Sequence, residues 1–184
     1  MNGHALKLAA AFGYLHPWEV HALQVAVQDA IQGAAPGKAM IVNVGAGAGT
    51  SGLAIVEAGA DPRFTWTVDI SPTGPLGGLE NERIAFQNAG LPVYPNQILG
   101  DSKEIGRSWT GGPLDLVFID GDHSPAGVQG DIKVWLPLIK RGGWILFHDY
   151  HSNNWPAVVE AVDRMLASYP IAFSLDTLHA RRIP

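Results

Sequence analysis

Five short apolar runs, each broken off by glycine or by an ionisable residue, limit what this chain can fold into more than any other feature of it. Ala39 to Val44 (AMIVNV) stops at a run of glycines, and Phe64 to Val68 (FTWTV) stops at Asp69. Val93 to Leu99 stops at Gly100 and Asp101, Leu114 to Ile119 (LDLVFI) at Asp120, and Trp144 to Phe147 (WILF) at His148 and Asp149. Short, nearly continuous apolar runs predict strands covered on both faces, as in a parallel sheet. Between them lie helical patterns: Pro17 to Ile31, Thr50 to Ala58, Leu79 to Ala89 (after the turn-rich ISPTGPLGG), Val128 to Ile139, and Ala157 to Leu166. Strands alternating with helices predict an α/β fold with a doubly wound, mostly parallel sheet. Two last segments, Ile171 to Leu175 and Leu178 to Arg182, predict antiparallel edge strands turning at Asp176 and Thr177, which makes seven strands in all.

A length of 184 residues suits one domain, with an N-terminal helical segment over 1–36 and a core over 37–184. A net charge of -5 argues against a broad nucleic-acid-binding surface. The absence of cysteine excludes disulfides, zinc–thiolate sites and thiol nucleophiles. The N-terminal apolar run is too short and interrupted for a membrane span, and it lacks the basic start and cleavage site of a signal peptide. A soluble, cytoplasmic protein is therefore expected.

In doubly wound sheets ligands bind beyond the carboxyl ends of the strands. After the first run, Gly45, Gly47 and Gly49 fit the GxGxG of methyl donors, while Gly47, Gly49 and Gly52 fit the GxGxxG of dinucleotides. Asp69, about twenty residues on, stands where a carboxylate meets ribose hydroxyls, or else is a turn residue. Asp101 either accepts from an adenine amino group or caps the next helix. Asp120, Asp122 and His123 end one strand and His148 and Asp149 the next, so neighbouring parallel strands bring them to one rim. Carboxylates and imidazoles suit Mg²⁺ or Mn²⁺, and a histidine can take a substrate proton. Read singly, Asp122 is a turn residue and His123 a satisfied loop histidine; five ionisable groups together read as a site. Beyond the rim, HSNNWP (His151 to Pro156) is a substrate-facing loop with Trp155 as a flat wall, unless Trp155 only packs the last helix. HPWE (His16 to Glu19) is either a lid or a helix start, with Pro17 opening the helix and Trp18 packed beneath it.

The stretches GYLHPWEVHAL, IVNVGAGAGTSGLAI, TVDIS, GDS and above all LDLVFIDGDHSPAGVQGDIKVWLPLIKRGGWILFHDY resemble the class I S-adenosylmethionine-dependent methyltransferases, in particular the methyltransferase-24 type. The resemblance implies a Rossmann-like sheet in which Gly45, Gly47 and Gly49 pass under the methionine part of S-adenosylmethionine. Asp69 would hold the ribose, and Asp101 and Ser102 would border the adenine. Asn43, Ala46, Thr50, Ser51, Ile70, Asp120, Asp122 and His123 complete the implied cofactor contacts. Metal-dependent relatives imply Mg²⁺ or Mn²⁺ held by Asp120, Asp149 and His148. His123 and then His148 are the candidate bases. Asn43 departs from the acidic residue usual before the glycine loop, His148 from a second carboxylate, and Tyr150 from the asparagine of the catechol type. The expected reaction is methylation of a hydroxyl on a small molecule, with no nucleic acid or membrane partner and with a homodimer completing a bare site. An NAD-dependent oxidoreductase and a non-catalytic cofactor-binding subunit are the rival readings.

Overall fold

A computed structural model describes residues 3–12, 14–74 and 77–184, so Pro75 and Leu76 of the turn-rich piece lie outside the described residues. Seven strands form one sheet in the order β3-β2-β1-β4-β5-β7-β6. They are β1 (Ile41–Val44), β2 (Thr65–Asp69), β3 (Asn96–Leu99), β4 (Leu114–Ile119), β5 (Ile139–Phe147), β6 (Ile171–Leu175) and β7 (Leu178–Arg182). The first five are parallel, and β7 pairs antiparallel with both β5 and β6. This is the expected mostly parallel sheet, with one refinement: β7 lies inside the sheet and β6 alone forms that edge.

All six residues of β4 are buried, and alternation along the strand serves both faces at once. Leu116 and Phe118 pack with α1 (His4–Phe12), α2 (Pro17–Gly33), α3 (Thr50–Glu57) and α4 (Leu79–Asn88). Val117 and Ile119 pack with α6 (Pro125–Trp135) and α7 (Pro156–Met165) on the other face. The short α5 (Ser102–Arg107) follows β3. Strand order reverses at β1, between β2 and β4, so the crevice opens at the carboxyl ends of β1 and β4.

Four boundaries differ from expectation for local reasons. The helix expected to reach Ile139 ends at Trp135, because Pro137 has no N–H to give the Lys133 carbonyl; Leu136–Leu138 form one 3₁₀ turn. Ile139 then pairs with Leu114, so β5 starts five residues before Trp144. β3 begins at Asn96, just after Pro95, and Val93 is exposed. A helix over His4–Phe12 precedes the one expected from Pro17, burying Ala5 and Ala9. Trp18, expected beneath α2, is 54% exposed, stacks on His16 and donates its indole N–H to Asp176. Among the described residues no helix is long and apolar enough to cross a membrane.

Candidate functional site

β1 delivers its chain end straight into the glycine loop. Gly45 takes φ 96°, and a Cβ there would strike the main-chain carbonyl of Asp120. Only glycine lets the loops after β1 and β4 come this close, so the cradle and the first residue of the charged rim are neighbours. Gly47 faces open space, with nothing within 4 Å of a Cβ built on it. Asp69 leans on the same loop: its carboxylate accepts from the Ala46 and Ser71 N–H groups, both at 2.7 Å. Each oxygen keeps acceptor capacity for a further hydroxyl. Ile70 beside it is 73% exposed. Thr50 and Ser51 are buried in the first turn of α3, and the Thr50 hydroxyl is buried without a hydrogen-bond partner.

Asn43 sits below the loop rather than in it. It is fully buried on β1, in register with Thr67, and its amide donates to the Thr67 hydroxyl at 3.4 Å. Thr67 donates in turn to Glu82 at 2.8 Å, and Gln97 donates to the other Glu82 oxygen at 2.9 Å. Burial is the largest influence on Glu82 and, against those hydrogen bonds, pushes it up to about 7. Gly52, the third glycine of the dinucleotide reading, is where Glu82 packs: a Cβ there would hit its carboxylate. Its absence of side chain is thus explained by packing.

Beyond β3, Asp101 caps α5, accepting from the Lys103 N–H at 2.8 Å and pairing with its ammonium at 3.1 Å. Ser102 hydrogen-bonds to Asp131, a wholly buried acid on α6 that burial pushes up to about 6.

The rim is built at the ends of β4 and β5. Asp122 shapes the turn into α6, accepting from the Ser124 N–H at 2.9 Å. His123 places Nε2 3.0 Å from Asp149 and 3.4 Å from Asp120, while its ring stacks on Trp155 at 4.9 Å. His148 faces the same two carboxylates from the buried side, Nδ1 lying 3.3 Å from Asp120 and 3.4 Å from Asp149. Its Nε2 lies 3.4 Å from Glu19 and 3.2 Å from the Thr177 hydroxyl. With acceptors at both nitrogens, His148 is an imidazolium: burial alone would lower it, but Asp120, Asp149 and Glu19 push it up to about 12. His123, opposed by burial in the same way, is pushed up to about 9 by Asp120 and Asp149. Both aspartates are correspondingly held below the usual carboxylate range although burial works against it. Asp149 adopts φ 59°, a left-handed conformation that costs a non-glycine residue on the order of 1 kcal/mol.

Ligand atoms of Asp120, His123 and Asp149 all lie within 4.8 Å of one another. The His123 Nε2 is buried and makes no well-aligned hydrogen bond despite its two near carboxylates. One nitrogen and two carboxylate oxygens converging without satisfying each other fit a divalent cation of the Mg²⁺ or Mn²⁺ kind.

Residues 42–150, from within β1 through the rim, match the family described as a methyltransferase domain. The chain belongs to the class I S-adenosylmethionine-dependent methyltransferases. A curated relative from Mycobacterium sp. (strain JLS), named "Putative O-methyltransferase", is 34% identical over 112 residues, covering 59% of this chain and 47% of that one. This methyltransferase thus spans about half the length of such relatives. Solved structures similar to it include a Corynebacterium glutamicum protein, with a TM-score of 0.70 and 22% identity over 98% of this chain and 88% of the other. Another is the O-methyltransferase from Bacillus cereus in complex with SAH, with a TM-score of 0.68 and 18% identity over 98% and 90%. The fold they share is the Rossmann-like one expected.

Two residues that reach this rim escape a reading of strand ends, Glu19 and Thr177. Glu19 occupies the third position of α2, where an acid is ordinary capping chemistry. The available signal was that it leads the buried stripe Glu19, Leu23, Ala26, Val27 and Ala30.

Proposed function

We propose that this methyltransferase moves the methyl group of S-adenosylmethionine to a hydroxyl oxygen of a small molecule at the rim formed by Asp120, His123 and Asp149. The single observation carrying this reading is contiguity: the glycine at position 45 seats the cradle directly against Asp120, whose side chain already belongs to the rim. The bound sulfonium supplies a methyl group that needs alignment more than activation. Gly47 gives the donor an open surface it can approach, Gly45 and Gly49 let that loop close on Asp120 and α4, Thr50 offers an unused hydroxyl, and Asp69 offers acceptor capacity for a ribose. Asp101 and Ser102 border the adenine side.

On the acceptor side His123 is the base. While Asp120 and Asp149 both face it, His123 keeps its own proton; it becomes a base when those carboxylates turn to another partner, a divalent cation or the acceptor hydroxyl itself. Asp120 and Asp149 would hold such a cation, which would supply a positive charge beside the acceptor oxygen and leave the His123 nitrogen to take the proton. His148, paired on both nitrogens, serves as the interior counter-charge of this cluster. Trp155 walls the acceptor, and a second copy of the chain completes the open side.

The test is transfer of labelled methyl from S-adenosylmethionine to a panel of phenols, catechols and sugars, with Asp120→Ala as the control. Transfer by the wild type and at least about a 100-fold loss in the variant are expected. S-adenosylhomocysteine binding without transfer to any acceptor returns the non-catalytic reading. Binding of NADH with no S-adenosylhomocysteine binding overturns the proposal. Activity is expected to fall in chelator and to return with Mg²⁺ or Mn²⁺; full activity in chelator removes the cation from the reading.

A further inference from the structure

The HPWE segment and the turn between β6 and β7 meet underneath the rim, 158 residues apart in sequence. Glu19 is fully buried there and has both oxygens engaged. One accepts from the Thr177 N–H at 2.9 Å and the Thr177 hydroxyl at 2.7 Å; the other accepts from the His16 N–H at 2.8 Å and lies 3.4 Å from His148 Nε2. Because the Thr177 hydroxyl gives its hydrogen to Glu19, its oxygen is left to accept from His148 Nε2–H at 3.2 Å. The same Thr177 reaches the next residues of the rim: its carbonyl accepts from the Tyr150 N–H at 2.9 Å. That bond grips the chain immediately after Asp149, the residue in the left-handed conformation.

A carboxylate buried on an apolar helix face is costly unless it is fully hydrogen-bonded, and capping α2 accounts only for the bond from the His16 N–H. What its oxygens accomplish is orientation. They fix one edge of the His148 ring, so the other edge must face Asp120 and Asp149, and they fix the turn that holds Asp149. We propose that Glu19, acting through Thr177, is a positioning residue that sets His148 and Asp149 in place at the rim; the proposal rests on the functional reading above. It gives HPWE a role distinct from that of a lid: a strut from the first layer of helices to the far edge of the sheet. Partners of buried site groups, when removed, typically cost about 10- to 100-fold in metal affinity or activity.

The experiment compares full-length wild type, Glu19→Gln and Thr177→Val by three measurements that need no acceptor. These are calorimetric binding of S-adenosylhomocysteine, Mn²⁺ binding by electron paramagnetic resonance, and the His148 ring N–H resonances in ¹⁵N-histidine-labelled protein. Expected for Glu19→Gln are S-adenosylhomocysteine affinity within about two-fold of wild type, Mn²⁺ affinity lowered about 10- to 100-fold, and a shifted or lost His148 Nε2–H signal. Thr177→Val is expected to move the last two in the same direction by less. A folded Glu19→Gln protein with unchanged Mn²⁺ affinity and unchanged His148 resonances overturns the proposal. If the wild type binds S-adenosylhomocysteine but no Mn²⁺, the cation falls from the functional reading, and the ring resonances alone decide for or against Glu19. Should Glu19→Gln fail to unfold cooperatively on heating, Thr177→Val decides by the same readouts.

Discussion

Two buried acids, Glu82 and Glu19, sit under the same crevice and are treated in opposite ways. Glu82 lies beneath the glycine loop, accepting from the neutral Thr67 and Gln97, and burial, with the charge of Asp69 nearby, keeps it up at about 7. Glu19 lies beneath the rim against an imidazolium. Burial acts to raise it too, but hydrogen bonds from His148, the His16 N–H and Thr177 outweigh that and hold it below the usual carboxylate range. The first acid packs under Gly49 and Gly52 and supports the glycine loop from below. The second is part of a cluster in which carboxylates and imidazoles hold one another in place. Burial alone does not tell a structural acid from a working one; the charge of the partner does.

The contrast can be broken most severely at the rim. Asp149→Ala takes a counter-charge from both histidines in one step. Methyl transfer is expected to fall about 100- to 10,000-fold, measured as initial rates with labelled donor, while S-adenosylhomocysteine binding persists. An activity loss under tenfold would place the chemistry elsewhere.

Glu82 sharpens the other side. Its folded value, raised to about 7 from 4.5, means the folded chain holds a proton the unfolded chain has lost between those values. Its stability contribution is therefore full below about pH 4.5 and declines as pH rises to about 7. Glu82→Gln, which cannot ionise, is expected to match wild type near pH 4.5 and to gain on it by about 2–4 kcal/mol by pH 8. Urea unfolding at several pH values measures this. A constant difference across the range would mean that Glu82 is ionised in the fold.

Smaller effects separate the walls from the base. Trp155→Ala removes the ring stacked on His123 and is expected to raise the acceptor KM by about 3- to 10-fold, worth about 1 kcal/mol, with the donor KM unchanged. Trp18→Phe deletes only an exposed indole hydrogen bond to Asp176. It is expected to shift stability by less than about 0.5 kcal/mol by thermal unfolding, in contrast to its neighbour Glu19.

The sheet was legible because each strand had its own evidence. LDLVFI is apolar throughout and gave β4 residue for residue, and the break at Asp176 and Thr177 gave the β6–β7 turn. Where the pattern misled, a proline or the tertiary neighbourhood decided: Pro137 cut α6 short, and pairing with Leu114 drew Ile139 into β5. Asp120, His123, His148 and Asp149 could be gathered because parallel neighbours align their ends. Asn43 precedes the loop in the cofactor motif, and in the fold its amide donates to the Thr67 hydroxyl below that loop. Glu19 showed only as the acid that leads the buried stripe of α2, and its partnership with Thr177 depends on how the hairpin after α7 returns beside β5.

That return carries a further consequence for how the protein becomes active. Closing 158 residues of chain on one carboxylate costs roughly 4–5 kcal/mol of loop entropy beyond a constant, and nothing offsets it until the strands between are assembled. The glycine cradle, by contrast, draws on β1, β2, β4 and α4 and touches neither β6 nor β7. A partly folded chain can thus have a place for the donor before it has an ordered place for the reaction, and competence arrives last, with the completed sheet.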